Sequence, residues 1–243
     1  MVPAKNEERS MRPILRELHR YSDDITVIDG HSIDQTELVA RSFGVNVIKD
    51  NRKGKGDAVR LGLSVARHPI TVFIDADGSH DPADIPKLVE PIAAGRADLV
   101  IGSRMRGGSD ELFGTLPEAI RLAGQVVIAL TINYRFGVRL TDYQNGFRAI
   151  RTEVGNALGL QSNLPTIEQE MAMKCLQYGY RVFEEPTHEY ARTGGVSKIN
   201  PLEMSPQYVW SLISGVCVRR KPTPTAIVCE PIVTDLKTVA VAG

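Results

Sequence analysis

Short apolar runs alternate with amphipathic segments over the first part of the chain. Four runs have the length and branched side chains of buried strands, at Ile25–Ile28, Val45–Ile48, Ile70–Ile74 and Leu99–Ile101. The segments around them carry apolar residues at helical spacing, at Glu7–Arg20, Asp34–Phe43, Gly56–Ala66 and Pro82–Ala94. This alternation predicts an α/β fold of three layers, with helices on both faces of a mostly parallel central sheet.

Capping residues mark two of the predicted helix starts. Ser32 and Gln35 have the spacing of a capping box, which satisfies backbone N–H groups at a helix start. Asp81 followed by Pro82 has the pattern of an N-cap with proline at the first helical position. At the chain start, only Met1 and Val2 precede Pro3, so the first strand is expected to be very short or to lack its upstream part.

The pattern changes after Ser103. The segment Arg106–Thr115 is rich in glycine and is predicted to be a mobile loop. The elements predicted after it are a helix at Pro117–Phe136, a loop and strand at Thr141–Ile150, a helix at Ile167–Tyr178, a strand at Arg181–Glu185 and an apolar helix at Ser205–Val218. No linker divides the chain, so residues 1–221 are expected to form one domain and residues 222–243 a poorly ordered tail.

Composition excludes some classes of protein. The 243 residues include 29 basic and 29 acidic side chains, and this neutral balance argues against a nucleic-acid binder. Three cysteines without metal spacing, and no signal-peptide pattern, indicate a cytoplasmic protein. The longest apolar runs, Val126–Ile132 and Val209–Val218, are too short to cross a bilayer, so at most peripheral membrane contact is expected.

Two carboxylates follow directly after the predicted strand Ile70–Ile74. Asp75 and Asp77 are two residues apart, so in an extended chain they point to the same side. They lie at the carboxyl end of a strand, where open α/β sheets bind ligands. Two such carboxylates repel each other unless a cation intervenes, and Mg²⁺ or Mn²⁺ would bridge them to a phosphate. A turn at Asp77-Gly78 and a simple cap at Asp81 are the alternatives.

Another acidic residue, Asp29, follows directly after the predicted strand Ile25–Ile28. Asp29 there can accept hydrogen bonds from a nucleobase or a ribose hydroxyl. Ser32 and Asp34, which follow, also fit a simple helix start, and His31 fits a structural role in the loop.

These motifs occur in the order and spacing of a known family. Pro3-Ala4-Lys5-Asn6-Glu7, the segment Asp29–Thr36 and Asp75-Ala76-Asp77 resemble the motifs of family 2 glycosyltransferases with the GT-A fold. The resemblance is strongest to the branch that makes dolichyl- and polyprenyl-phosphate sugars. It continues through Gly102-Ser103-Arg104, Thr141-Asp142, Gly146-Phe147-Arg148-Ala149 and Arg192–Lys198. The chain departs from the family at Lys5, where an aromatic residue is usual, and at Gly30, where the second motif loses an acid.

The resemblance implies a role for each matched residue. Residues 1–104 would bind the nucleotide sugar and residues 105–221 the acceptor. The nucleotide sugar would contact Pro3, Ala4, Asn6, Glu7, Asp29, Lys55, Asp75, Ala76, Asp77 and Arg104. Asp75 and Asp77 would hold the divalent metal, Mn²⁺ or Mg²⁺. Phosphates of donor or acceptor would meet Arg148, Arg192, Ser197 and Lys198.

The implied activity is sugar transfer from a UDP- or GDP-linked donor with inversion at the anomeric carbon. A polyprenyl-phosphate acceptor would need no general base, because its oxygen is already anionic. A hydroxyl acceptor in a small soluble molecule would need one. The candidate catalytic carboxylates are Asp77, at the metal, and Asp142, Glu168 and Glu170, as possible bases.

Two other functions fit parts of the pattern, namely a sugar-1-phosphate nucleotidyltransferase and an inactive protein that binds sugar nucleotides. The helices at Pro117–Phe136 and Ser205–Val218 are rich in apolar residues, and Arg219-Arg220-Lys221 follows the second. This arrangement predicts a peripheral membrane surface, with core helices as the alternative.

Overall fold

Seven strands are present in the part of the chain that the computed structural model describes, residues 1–112, 116–192 and 201–217. They are β1 (Val2–Ala4), β2 (Thr26–Asp29), β3 (Asn46–Lys49), β4 (Ile70–Phe73), β5 (Leu99–Ser103), β6 (Arg148–Arg151) and β7 (Val182–Pro186). β1, β2 and β3 pair in parallel in that order, and the other four are arranged as β4-β6-β5-β7.

Met1 joins the two groups of strands. Its amino group donates to the Val72 carbonyl at 2.8 Å, and its own carbonyl accepts from the Ile74 N–H at 3.2 Å. The strands therefore follow one another as β3-β2-β1-β4-β6-β5-β7. β6 runs antiparallel to both β4 and β5, whereas β7 is parallel to β5. The predicted α/β fold is confirmed, with β6 as the antiparallel strand of a mostly parallel arrangement.

Helices follow most strands. They are α1 (Glu8–Leu18), α2 (Thr36–Ser42), α3 (Lys55–Val65), α4 (Ile85–Ala93), α5 (Arg104–Gly107), α6 (Leu116–Phe136), α7 (Thr152–Ala157), α8 (Ile167–Tyr178) and α9 (Pro201–Cys217). Two of them were not predicted. α5 is a single turn inside the glycine-rich segment, where the Ser103 hydroxyl accepts from the Arg106 N–H. α7 follows β6 without a loop, so its start carries no turn signal.

The core lies on both faces of the strands. On one face, apolar side chains of α1, α2 and α4 pack against Val27, Val100 and Ala149. On the other, side chains of α3, α6, α7 and α8 pack against Leu99, Ile101 and Ile150. Val100 faces the opposite way from its neighbours Leu99 and Ile101, as strand geometry requires. The three-layer arrangement is thus confirmed.

One predicted cap is confirmed and the other is wrong. The Asp81 carboxylate accepts from the Ala83 N–H at 2.8 Å, at the start of a 3-10 turn over Pro82–Asp84. Ser32 does not begin a helix, because its hydroxyl accepts from the Asn6 N–H at 2.9 Å. α2 begins instead at Thr36, whose N–H donates to Asp34 at 3.0 Å.

Within the described ranges, no helix combines the length and the apolar character that a membrane crossing requires. Several expectations lie outside the described residues, namely the tail at residues 222–243, Ser197, Lys198 and the cluster Arg219-Arg220-Lys221. The division of residues 1–221 into a nucleotide half and an acceptor half stays a prediction.

Candidate active site

The carboxyl ends of β1 and β2 carry two interlocked turns. The Gly30 N–H donates to the Ala4 carbonyl at 2.8 Å, and the Asn6 amide oxygen accepts from the Ile33 N–H at 2.9 Å. Asn6 adopts the left-handed conformation, with φ of 57°, which asparagine tolerates better than most residues. Pro3, Ala4, Asn6 and Asp29, predicted to contact the nucleotide, are therefore brought to one edge.

Asp29 and Glu7 are held at this edge by short contacts. Asp29 is fully buried, and its carboxylate accepts from the Ser32 N–H at 3.2 and 3.3 Å. The Glu7 N–H donates to the Thr36 hydroxyl at 2.7 Å, which ties the start of α1 to the start of α2. The segments Pro3–Glu7 and Asp29–Thr36 therefore form one wall of the candidate site.

Asp77 lies in the turn that follows β4 and is 8 % exposed. One of its carboxylate oxygens accepts from the Ser79 N–H at 3.0 Å and from the Ser79 hydroxyl at 2.7 Å. Ala76, between the two aspartates, has its side chain in the core, so only its backbone reaches the predicted nucleotide site. β4 ends at Phe73 and residues 76–77 form a turn, so the turn at Asp77-Gly78 is present, and a metal shared by Asp75 and Asp77 stays a prediction.

Lys55 joins Asp75 to a residue far away in sequence. Its Nζ lies 2.8 Å from Asp75 Oδ1 and 2.9 Å from Glu168 Oε1. Burial lowers the pKa of Lys55, but the two carboxylates more than offset this and raise it above its ordinary value. Burial likewise raises the pKa of Asp75, and Lys55 outweighs that effect, so the pKa of Asp75 is lowered. Lys55 and Asp75 are therefore charged at neutral pH.

Arg104 and Asp142 form a second buried ion pair. Arg104 Nε lies 2.7 Å from Asp142 Oδ2, and a second guanidinium nitrogen lies 3.0 Å from Oδ1, so the pair is bidentate. A third guanidinium nitrogen lies 3.2 Å from Glu189 Oε1. Burial raises the pKa of Asp142, but Arg104 more than offsets this and lowers it. Asp142 thus holds Arg104 in position.

Arg148 and Glu170 both make contacts within the protein. Arg148 is 1 % exposed, and its guanidinium donates to the carbonyls of Asn145 at 3.0 Å and Glu168 at 2.7 Å. It lines the same small cavity as Lys55 and Asp75, and its contact with a phosphate stays a prediction. Glu170 accepts from the N–H groups of Gln161 and Ser162 and pairs with Lys174 at 2.7 Å. Its carboxylate holds this loop in place, and its role as a general base stays a prediction.

Arg192 does reach the aspartate pair. Its Nε lies 3.4 Å from Asp77 Oδ2 and 3.3 Å from Glu111 Oε1. Burial lowers the pKa of Arg192, but Asp77 and Glu111 more than offset this and raise it. A fixed positive charge therefore stands beside Asp77, where a diphosphate would lie.

Three residues near the site were missed by sequence reasoning. Glu111 and Glu189 lie in segments that match no sequence motif. Only the fold shows that Glu111 pairs with Arg192 and Glu189 with Arg104. His80 is 4 % exposed and stacks on Phe147 with ring centres 5.2 Å apart. Its Nδ1 has no hydrogen-bond partner among the described residues. Burial lowers the pKa of His80, so it is neutral at pH 7.

The aspartate pair suits a divalent ion that is shared with a substrate. Asp75 and Asp77 supply carboxylate oxygens, which Mg²⁺ and Mn²⁺ prefer. Among the described residues, no group of three His, Cys, Asp or Glu side chains is placed to hold a metal. Phosphate oxygens and water would therefore complete the coordination, which is how Mg²⁺ is commonly held in phosphate-transfer sites.

The sequence model of glycosyl transferase family 2 matches residues 1–158. The chain belongs to this family. The prediction of a glycosyltransferase is confirmed, and the nucleotidyltransferase alternative is set aside.

Named relatives agree with this assignment. An uncharacterised glycosyltransferase of Mycobacterium tuberculosis is 32 % identical over 200 residues, which are 82 % of this chain and 88 % of that protein. The dolichyl-phosphate hexose transferase of Haloferax volcanii is 28 % identical over 199 residues, which are 81 % of this chain and 83 % of that protein.

The fold is similar to that of a solved GT-A glycosyltransferase. Glucosyl-3-phosphoglycerate synthase from Mycobacterium tuberculosis, in complex with Mn²⁺, uridine diphosphate and phosphoglyceric acid, matches with a TM-score of 0.70 and 21 % identity. The match covers 89 % of this chain and 77 % of that one. The GT-A fold predicted from the motifs is thereby confirmed.

Proposed function

We propose that this glycosyltransferase moves a hexose, with inversion, from a UDP-linked sugar to the phosphate of a polyprenyl phosphate. A divalent cation would be held by Asp75 and Asp77. The observation that carries this proposal is that the three candidate base carboxylates are already engaged, which favours an acceptor that needs no base.

On the donor side, the proposal rests on two features. These are the charged side chains around Asp75 and Asp77, and the position of the first two motifs at one edge of the sheet. Pro3, Lys55, Asp75 and Glu168 line one small cavity, so the nucleotide wall adjoins the acidic pair. When bound, the cation would stabilise the negative charge that develops on the departing diphosphate. Arg192, which lies beside Asp77, would add to that stabilisation, and Asp29 would accept a hydrogen bond from the nucleoside. The Mn²⁺ and uridine diphosphate in the structural neighbour support the choice of donor.

On the acceptor side, each candidate base is held by a cation. Both carboxylate oxygens of Asp142 are bonded to Arg104, and Glu168 is paired with Lys55. Glu170 is held by backbone N–H groups and Lys174. Asp142 is a weak proton acceptor in this pair, because burial raises its pKa but Arg104 more than offsets this and lowers it. A phosphate oxygen is already anionic and can attack the anomeric carbon from the face opposite the leaving diphosphate.

The lipid part of the proposal rests on a surface formed by α6 and α9, which pack together. Large apolar side chains stand exposed on these helices at Ile120, Val126, Val127, Leu130, Tyr134, Val209, Trp210 and Ile213. Exposed apolar and aromatic side chains on amphipathic helices are typical of segments that lie in a membrane interface. The name of the Haloferax volcanii relative, a dolichyl-phosphate hexose transferase, points to the same class of acceptor.

A radiolabelled transfer assay tests the proposal. UDP- and GDP-linked hexoses are offered with a short polyprenyl phosphate, with 3-phosphoglycerate or with glycerol, each with Mn²⁺ or with excess chelator. We expect labelled, organic-extractable product only with the polyprenyl phosphate and only with Mn²⁺. If only a water-soluble acceptor received the sugar, the lipid acceptor would be contradicted. The glycosyltransferase activity itself would still stand.

Liposome sedimentation tests the surface on α6 and α9 separately. We expect the wild-type chain to bind liposomes that contain anionic lipid, and Leu130→Ser with Trp210→Ser to weaken that binding at least fivefold. The control is Tyr21→Ser, which lies on a different part of the surface. Equal binding by all three proteins would contradict the membrane contact.

A further inference from the structure

The backbone before Arg192 is hydrogen-bonded along both of its edges. On one edge, the Tyr190 N–H donates to the Ser79 carbonyl at 2.8 Å, in the segment that follows β4. On the other edge, the Glu189 N–H donates to the Gly108 carbonyl at 3.0 Å, in the loop that follows α5. The position of Arg192 is therefore fixed by both of these segments.

We call residues 108–111 of the loop after α5 the clasp, because their side chains also hold the neighbouring segment. The Asp110 carboxylate accepts from the Ala191 N–H at 3.2 Å and lies 2.9 Å from His188 Nε2. The Asp110 N–H donates to the Glu189 carbonyl at 2.8 Å. The clasp is therefore joined to the neighbouring segment by both backbone and side-chain contacts.

Glu111, the last residue of the clasp, contacts both the backbone and the side chain of Arg192. Its carboxylate accepts from the Arg192 N–H at 3.4 Å and from Nε at 3.3 Å. Glu111 is itself held in place, because its N–H donates to the Ser109 hydroxyl at 3.1 Å and its carbonyl accepts from Arg121 of α6 at 3.1 Å. A carboxylate with a fixed backbone therefore holds the arginine.

The two acidic partners of Arg192 differ in what a bound donor would do to them. Asp77 is one of the proposed metal ligands, and its Oδ2 lies 3.4 Å from Arg192 Nε. With a cation bound at Asp77, that carboxylate would attract the guanidinium less, and the cation would repel it. Glu111 lies outside the aspartate pair, so it would keep its attraction to the guanidinium.

We infer that Glu111 is a positioning residue for sugar transfer, which holds the Arg192 guanidinium beside the departing diphosphate. An arginine side chain has many rotamers, so a partner that selects one before the donor arrives reduces the ordering cost of binding. The inference deepens the proposed function and rests on it, because Glu111 acts only through the contact of Arg192 with the diphosphate.

Calorimetric titration of UDP in the presence of Mn²⁺ tests the inference on four proteins, namely wild type, Glu111→Ala, Arg192→Ala and the double variant. We expect Glu111→Ala to weaken UDP binding about tenfold, which corresponds to the loss of one hydrogen bond between charged groups. Arg192→Ala should weaken it by at least the same factor. The double variant should bind UDP no more weakly than Arg192→Ala, because a residue that acts through Arg192 has no effect once Arg192 is absent.

Three controls separate positioning from a general loss of structure. Uridine lacks the diphosphate, so its affinity, measured by ligand-observed NMR, should be the same in Glu111→Ala and wild type. Glu111→Gln should recover part of the lost UDP affinity, since its amide oxygen can still accept from Arg192 Nε. Glu153→Ala, which removes an exposed glutamate from α7, should bind UDP like wild type.

Unchanged or tighter UDP binding by Glu111→Ala would overturn the inference, and a weakening by Arg192→Ala in the same experiment would leave the proposed function standing. Losses that add in the double variant would also overturn it, because Glu111 would then act independently of Arg192. So would equal losses of UDP and uridine affinity in Glu111→Ala. Unchanged UDP binding by Arg192→Ala would contradict the role of Arg192 in the proposed function, and the inference with it.

Discussion

Gly146 lies so close to Asp75 that a Cβ at position 146 would stand 2.5 Å from Asp75 Oδ2. The same Cβ would be 3.0 Å from Lys55 Nζ. Side chains do not pack at such distances, so the Asp75 carboxylate and the Lys55 ammonium can take their positions only because residue 146 is glycine. The loop before β6 therefore sets the geometry of the proposed metal site.

Gly146→Ala is expected to displace the Asp75 carboxylate and to reduce metal-dependent turnover at least a hundredfold. The fold should survive, because the group that must move is the end of a side chain. The matched control is Gly124→Ala in α6, where a Cβ meets nothing within 4 Å. That change should leave turnover unaltered and stabilise the chain by about 0.5–1 kcal/mol. Turnover at the wild-type level in Gly146→Ala would contradict this account of Asp75.

Lys55→Met should destabilise the chain, because it leaves the carboxylates of Asp75 and Glu168 close together without their cation. We expect a loss of about 3 kcal/mol in the free energy of unfolding by urea. The double variant Lys55→Met with Glu168→Gln should recover part of this loss, since one buried charge is removed. Lys53→Met, an exposed lysine in the same segment, is the control and should change little. A double variant less stable than the single one would argue against the pairing.

Asp142→Asn distinguishes a base from a residue that positions Arg104. If Asp142 only holds Arg104, the acid limb of the kcat–pH profile should keep its midpoint in the variant, while stability falls by about 3 kcal/mol. Loss of that limb together with a hundredfold or greater fall in kcat would instead identify Asp142 as the general base. Such a result would favour a hydroxyl acceptor.

The sequence predicted the elements that carry the candidate donor site, but it did not show how deeply Arg148 is buried. The position of Asp75 and Asp77 was predictable because a buried strand is recognisable from its apolar run, and Asp77-Gly78 has the pattern of the turn that follows it. Burial of Arg148 was not, because β6 becomes an inner strand only by pairing with both β4 and β5. Without knowledge of that strand pairing, an arginine in a polar motif is expected to be exposed.

Long-range ion pairs were equally invisible in the sequence. Lys55 meets Glu168, and Arg104 meets Asp142, across long loops and several elements. Spacing rules describe neighbours within one helix or strand, so they carry no information about such contacts. From the sequence, the candidate bases were therefore expected to be free to accept a proton. In the fold, each of these carboxylates contacts a cationic side chain.

The amino group of Met1, which is half-buried and bonded to the Val72 carbonyl, predicts a pH dependence of stability. Its pKa falls from 8.0 to about 5 on folding, so between these pH values the unfolded chain binds the proton more tightly. The free energy of unfolding should therefore fall as pH decreases from 8 to 5, and acetylation of the amine should remove this part of the fall. Urea unfolding of the free and acetylated chains across this range measures the difference. A difference that does not grow towards pH 5 would show that the amine is not buried.

The central claim is that Asp75 and Asp77 bind a divalent cation together with a nucleotide diphosphate sugar. The most direct measurement is transfer from the UDP-sugar by wild type, Asp77→Asn and Asp81→Asn, each with Mn²⁺ and with excess chelator. Asp81 is exposed in the same loop and caps a helical turn, a role that asparagine also fills. We predict that wild type and Asp81→Asn transfer sugar equally with Mn²⁺ and not at all with chelator, while Asp77→Asn loses at least a hundredfold. Undiminished transfer by wild type in excess chelator would contradict the claim.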